Sequence, residues 1–287
     1  MRCVLFSLFA LLAQNLVIDV NLRQVDVFVE DQKGRAALDL TAEDFKVVED
    51  GRSKPVKHFA LEVAPVAVGI VLDRSSSIRL VKNQLDEAAR DVVDALHPND
   101  EVFFMTFATS NEINVKFTTD HRNVLTAIQK ARLSYGTRFY DAMADALEYL
   151  ATSRLERKML IVLSDGADHY STHNFEQVLD RAMLLGVPVY FISWPGDDSS
   201  TWSEEGRKEI RNQIERLAAL TGGRVYFPSS AMDCLETGRQ VMQSMQYRYR
   251  LGFYSSSVFA EWAEVQVSVS RPGRTYIVHL VPKRLQL

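Results

Sequence analysis

The sequence predicts an α/β protein in which an open, doubly wound, mostly parallel sheet is inserted in a small β-sandwich-like domain built from N- and C-terminal strands. Three observations carry this expectation. Between residues 66 and 245, short apolar runs alternate with amphipathic stretches of helical period, the rhythm of a parallel sheet with helices on both faces. Before and after that region polarity alternates with period two, as in half-buried strands. The chain has 287 residues, 47% hydrophobic and 24% charged, which is enough to bury a sizeable core without disulfides.

The elements follow in order. Residues 3–13 form an apolar run behind Arg2, broken only by Ser7 and ending at Ala13. That run is too short to span a bilayer, which takes about 20 apolar residues, and it has the layout of a minimal signal peptide cut after Ala13. The competing reading makes it a buried first strand. Leu16, Ile18, Val20 and Leu22 then alternate with polar residues, after which Val25, Val27 and Val29 take over the opposite phase. Such a slip predicts a bulge or tight bend at Arg23-Gln24. Strands are expected at 45–49 and 56–61, the first ending in an Asp50-Gly51 hairpin turn.

The run 66–72 is continuously apolar up to Asp73, as expected of a strand buried on both faces. A helix with Val81, Leu85, Ala88, Ala89, Val92 and Leu96 on one face follows and stops before Pro98. Further strands are expected at 102–107, 114–118 (an edge), 158–163, 187–192 and 224–227, and helices at 123–132, 140–151, 175–185, 204–220 and 232–245. Alternation then returns through Tyr247, Tyr249, Leu251 and Phe253, through Val265, Val267 and Val269, and through Tyr276, Val278 and Leu280. A few strands at either end cannot close a core alone, whereas together they can make one sandwich. The predicted domains are a signal peptide at 1–13, a first β segment at 14–63, the α/β domain at 64–246 and a second β segment at 247–287.

Composition narrows the function. With 33 basic and 37 acidic residues, a net charge of -4, the chain lacks the basic excess of a nucleic-acid binder. Only Cys3 and Cys234 are present, so no cysteine-based zinc site can form, and Cys234 reads as a packing residue. In open α/β sheets ligands bind beyond the carboxyl ends of the strands. There stand Asp73, Ser75 and Ser77 at alternate loop positions, Asp165 followed by Gly166, and Thr137 after Gly136. A donor set of carboxylates and hydroxyls suits a hard divalent cation, Mg²⁺ above all, with Mn²⁺ or Ca²⁺ as substitutes.

At these residues the sequence resembles the von Willebrand factor A family. Its metal-ion-dependent adhesion site reads Asp-x-Ser-x-Ser, a distant Thr and a distant Asp, matched here by Asp73, Ser75, Ser77, Thr137 and Asp165 in order. Ser76 departs from the pattern, since many members have Gly there. The flanks resemble a bacterial subgroup through 40–45 with Glu49-Asp50-Gly51, and through 249–254 with Arg271-Pro272-Gly273. The resemblance implies a protein that binds Mg²⁺ and adheres to a partner protein supplying a carboxylate ligand; with the run ending at Ala13 the protein is expected to be exported, periplasmic or extracellular, and without a catalytic motif it is expected not to be an enzyme. The alternative is a scaffold in which the metal is structural or absent. Taken singly, each of the five residues could instead cap a helix. Phosphoryl transfer from Asp73 finds no second carboxylate two residues on and no phosphate loop. Arg74, Tyr135, Arg138, His169 and Tyr170 are expected to rim the metal face, though ordinary loop surface is the simpler account of each. The loop 195–205, rich in Asp and Ser, offers either a partner contact or, as the simpler account, a solvated connection, and His58, His97, His121, His173 and His279 have no ligand spacing.

Overall fold

The computed structural model describes residues 21–193, 203–228, 231–256 and 264–280, with the backbone alone for 21 and 231–236. The N-terminal region gives strands β1 (Asn21–Asp31), β2 (Phe45–Glu49), β3 (Arg52–Lys54) and β4 (His58–Val63). Asp50 and Gly51 both take positive φ (47° and 75°), the mirror-image turn that matches the twist of a two-residue hairpin between β2 and β3. The α/β unit follows as β5 (Val66–Asp73), a 3-10 turn (Ser76–Leu80), α1 (Lys82–Asp94), β6 (Glu101–Phe107), β7 (Asn111–Thr118), α2 (Arg122–Lys130), α3 (Phe139–Ala151), β8 (Arg157–Leu163), α4 (Phe175–Leu185), β9 (Val189–Ile192), α5 (Glu204–Thr221), β10 (Val225–Tyr226) and α6 (Ala231–Gln246). Strands β11 (Tyr247–Ser255), β12 (Val265–Val269) and β13 (Tyr276–Leu280) close the described chain.

The six-stranded sheet has the order β10-β9-β8-β5-β6-β7, parallel except for β7, which lies antiparallel to β6 at the edge. Its two faces are covered separately. Leu85, Val92, Val124, Ile128, Val241 and Met242 bring α1, α2 and α6 onto one face. Phe139, Leu147, Val178, Ile214 and Leu217 bring α3, α4 and α5 onto the other. That double cover explains why every residue of β5 and β8 is buried and why both strands read as apolar runs. Gly69 in β5 is fixed by packing, because a Cβ there would lie 2.6 Å from the Phe103 ring and 2.9 Å from Leu160 Cδ1.

The terminal strands form two antiparallel sheets, β13-β1-β11-β4 and β12-β2-β3, each containing strands from both ends of the chain. Val27, Val29, Phe45, Val47, Tyr249, Leu251 and Phe253 make the core between them. The Tyr249 hydroxyl donates to the Ala37 carbonyl (2.9 Å) and accepts from the Leu40 amide (3.2 Å), so this large side chain is buried without an unmet polar group.

One local expectation fails. Pairing of β1 with β11 runs unbroken from Asn21↔Ser255 to Val27↔Tyr249, with no bulge at Arg23-Gln24. Leu22 points outward, half exposed, opposite Tyr254, so the phase slip in the sequence marks an apolar residue on the outer face and not a break in the ladder. Residues 1–20, which include the predicted signal peptide, lie outside the described residues, as do most of the loop 195–205 and the Cys234 side chain.

The α/β unit enters and leaves the sandwich at one place. Val63 of β4 is the cross-strand partner of Tyr247 of β11, and the Ala64 amide donates to the Gln246 carbonyl (3.3 Å). The buried Asp100 carboxylate accepts from the Val66 amide (2.8 Å), the His97 amide (2.8 Å) and Gln246 Nε2 (2.7 Å). Arg157 donates to the Gln246 carbonyl (2.6 Å), capping the end of α6. Entry to β5 and exit from α6 are thereby pinned at the end of the sheet opposite Asp73.

Candidate metal centre

Three of the described loops at the carboxyl edge of the parallel sheet are knit together by backbone hydrogen bonds. The Arg74 amide donates to the Phe107 carbonyl (2.9 Å) at the end of β6. The Ser134 amide donates to the Arg74 carbonyl (2.7 Å), tying the loop before α3 to the loop after β5. His169 and Tyr170 amides both donate to the Thr137 carbonyl (3.1 Å each), tying the loop after β8 to the loop before α3. Asp73, Thr137 and Asp165 are thus presented by loops whose relative positions are set by main-chain contacts.

Asp73 is fully buried at the end of β5. Its Oδ1 accepts from the Ser75 amide (2.7 Å) and its Oδ2 from the Ser164 hydroxyl (2.6 Å). Ser75 Oγ and Ser77 Oγ lie 2.9 Å apart. Burial, and next the charge of Asp165, raise the Asp73 pKa above the usual carboxylate range, in spite of the hydrogen bonds from Ser164 and Ser75. Asp165 Oδ1 accepts from the Ala167 amide (3.1 Å), and Gly166 (φ 82°) turns the loop sharply where a Cβ would strike Ile210 Cγ2 at 2.9 Å. Direct contacts therefore gather Asp73, Ser75 and Ser77, the field of Asp165 reaches Asp73, and buried Thr137 joins through the backbone of the Asp165 loop.

None of the five is a helix cap. Ser75 precedes the 3-10 turn without a side-chain cap bond, and α1 starts only at Lys82. The first amides of α3 are taken by Asp168, whose Oδ1 accepts from Phe139 (2.8 Å) and from Ser171 Oγ (2.5 Å). Helix α4 is capped by Asn174. Ser76 is exposed in the 3-10 turn, which explains why this chain tolerates a side chain there.

Residues that the sequence did not single out hold the loops. Asp141, buried on the first turn of α3, accepts from the amides of Thr172 (3.0 Å) and His173 (2.8 Å), from Thr172 Oγ1 (3.1 Å) and His173 Nδ1 (2.7 Å), and pairs with Arg138 (2.6 Å). Burial alone would raise its pKa, but the His173 and Thr172 donors outweigh that and hold it well below the carboxylate range. Arg74 corrects an expectation: it does not rim the face but turns inward, 2% exposed, to pair with Asp86 on α1 and to donate to the Asp73 carbonyl (3.0 Å). Arg138 is engaged with Asp141, whereas Tyr135 and Tyr170 stand in solvent.

Among the described residues no group of three or more His, Cys, Asp or Glu side chains converges. A metal held at this edge must therefore take hydroxyl ligands beside the two carboxylates. The donors fit that demand: they are all oxygen, and a nearby cation would offset the burial of the Asp73 carboxylate and the opposing charge of Asp165.

Residues 68–238 match the von Willebrand factor type A domain. No curated protein matches the chain in sequence. The structure is similar to a von Willebrand factor type A protein from Catenulispora acidiphila, with a TM-score of 0.54 and 12% identity over 93% of this chain and 74% of that one. It is also similar to the conserved hypothetical protein BatB from Bacteroides thetaiotaomicron (TM-score 0.49, 17% identity, 62% of this chain and 98% of that one). The vWF domain of the type V pili tip protein Mfa5 from Porphyromonas gingivalis gives a TM-score of 0.49 at 12% identity, over 64% of this chain and 97% of that one. At 12% identity the likeness to the Catenulispora acidiphila protein concerns the fold.

Proposed function

Because the chain belongs to the von Willebrand factor type A domain family, we propose that it is a protein-interaction module that binds a carboxylate of a partner protein through a divalent cation, Mg²⁺ before Mn²⁺ or Ca²⁺. Ser75, Ser77 and Thr137 would hold the ion through neutral hydroxyls, with Asp73 and Asp165 supplying charge directly or through water. When bound, the ion supplies a positive charge that three hydroxyls leave under-neutralised, so an incoming carboxylate is attracted to it. The protein's own part is positional. Ser164 and the Ser75 amide orient the Asp73 carboxylate, and the Thr137 carbonyl holds the loop that carries Asp165. The observation that carries this reading is the buried Asp73 whose ionisation Asp165 opposes, set beside two serine hydroxyls in contact. Export forms part of the same proposal, with residues 1–13 removed, and so do the bounds 14–63, 64–246 and 247–287 of the three segments that follow. Among the described residues no helix is long and apolar enough to cross a membrane.

The test is calorimetry and thermal melting of the whole protein with MgCl₂. About one ion should bind, and the melting temperature should rise, because a ligand of the native state alone adds roughly 2.7 kcal/mol at a hundredfold excess over Kd. Asp73→Ala should abolish both signals. No heat of binding at millimolar Mg²⁺, Mn²⁺ or Ca²⁺ would overturn the proposal.

A further inference from the structure

Each of the three loops at the carboxyl edge carries, besides its candidate ligand, one large apolar side chain that stands in solvent. Leu80 follows Ser75 and Ser77 and is 66% exposed; Tyr135 precedes Thr137 and is 78% exposed; Tyr170 follows Asp165 and is 64% exposed. No other exposed large hydrophobic residue described in this protein reaches these values. Single exposed apolar residues are ordinary, but their convergence on one edge is what marks a contact surface. Tyr170 is held in place: its ring lies over Gly136, where an added Cβ would approach Cδ2 and Cε2 to 3.2 Å, and its amide is anchored on the Thr137 carbonyl. It therefore stands beside the Thr137 ligand position with little conformational freedom left to lose on binding.

Exposed charge on the same loops has one sign. Arg79 and Arg132 are exposed, while the carboxylates there, Asp73, Asp165 and Asp168, are buried or half-buried and engaged by backbone or hydroxyl donors. On these three loops an acidic segment would meet exposed arginines and no exposed carboxylate.

Building on the proposed carboxylate-binding role, we infer that the occupant of this face is a segment of a partner protein in which an Asp or Glu is flanked within a few residues by large apolar side chains. The carboxylate goes to the centre, and the flanking side chains pack on Tyr135, Tyr170 and Leu80. Rigid tyrosines next to a desolvated centre are the residues that dominate interface energetics.

The test uses random dodecapeptides displayed on phage, selected on the whole protein in millimolar MgCl₂ and released with EDTA. Enriched sequences should share an acidic residue with aromatic or branched aliphatic neighbours. A synthetic peptide of that consensus should bind the Tyr135→Ala/Tyr170→Ala double variant at least about 10-fold more weakly, while the variant keeps the Mg²⁺-induced melting shift of the parent. If selection enriches Asp or Glu with no preference among neighbours, or the double variant binds the peptide unchanged, the inference is overturned and the carboxylate role stands. If no EDTA-released peptide is enriched, or the enriched peptides lack an acidic residue, the carboxylate role itself fails and takes the inference with it.

Discussion

Replacing Asp141 probes the scaffold beneath the candidate site without touching a candidate ligand. Its carboxylate satisfies two backbone amides, two side-chain donors and an arginine, and so fastens the end of the Asp165 loop to α3. Asp141→Ala leaves the Thr172 and His173 amides without their acceptor, at about 1–3 kcal/mol each, and unpairs Arg138. Removing one side of such a buried arrangement costs about 3–5 kcal/mol in all, or roughly 10 °C in melting temperature for a protein of this size. Asp141→Asn keeps an acceptor oxygen and loses the charge, so it should cost about half as much. The folded-state pKa of Asp141 is depressed, so its contribution is fully present above the unfolded value of about 3.9 and is lost as pH falls through the folded value. Urea denaturation followed by circular dichroism should show a parent-to-Asn gap that is constant between pH 7 and 5 and closes only below about pH 4. Asp141→Ala melting within about 2 °C of the parent at pH 7, or a gap that persists unchanged into strong acid, would refute this account.

Two further outcomes are expected. Gly69→Ala should destabilise by about 1–3 kcal/mol through overpacking against Phe103 and Leu160, measured by denaturant titration; a neutral result would show that the strand can shift. Deleting residues from 247 onward removes β11 from between β1 and β4, so hydrogen exchange should find the β1 amides unprotected and the remainder prone to aggregate, while a 64–246 fragment stays soluble and keeps its Mg²⁺ response; full protection of β1 in the deleted chain would mean that the N-terminal strands fold independently.

Most of the architecture was legible because it rests on periodicity. Residues 66–72 could be read as a doubly buried strand and Asp50-Gly51 as a hairpin, since burial and φ act locally. The joining of the two β segments was legible from a shortage, each end having apolar faces and too few strands to cover them. The five candidate ligands were legible as a spacing; Asp73, Ser75, Ser77 and Asp165 stand at or just after strand ends, whereas Thr137 stands in the loop before α3. What stayed hidden depends on partners distant in sequence. Nothing around Asp141 announces that it will receive the amides of Thr172 and His173, and Arg74 looks like a rim residue until α1 brings Asp86 against it. The 3-10 turn after Ser75 was also missed, because three serines carry no helical pattern. At Arg23-Gln24 the pattern misled: a phase slip records which face is apolar, and Leu22 is apolar on the outer one.

The single doorway between the two parts, where Val63 pairs with Tyr247 and the Ala64 amide meets the Gln246 carbonyl, has a mechanical consequence. Strand β5 starts beside that doorway at Val66 and ends at Asp73, so a partner pulling on the far edge loads the central strand of the sheet along its axis. At the doorway the tension divides between two neighbouring backbones, β4 and β11, which are laddered to each other and pulled together from one end, so that they give way only if the ladder of β11 on β1 shears along several hydrogen bonds at once. The α/β unit is therefore held by two covalent prongs, beside side-chain contacts such as Arg224 with Glu30 (2.7 Å), and an anchored sandwich would resist detachment by shear where a single connecting strand would peel.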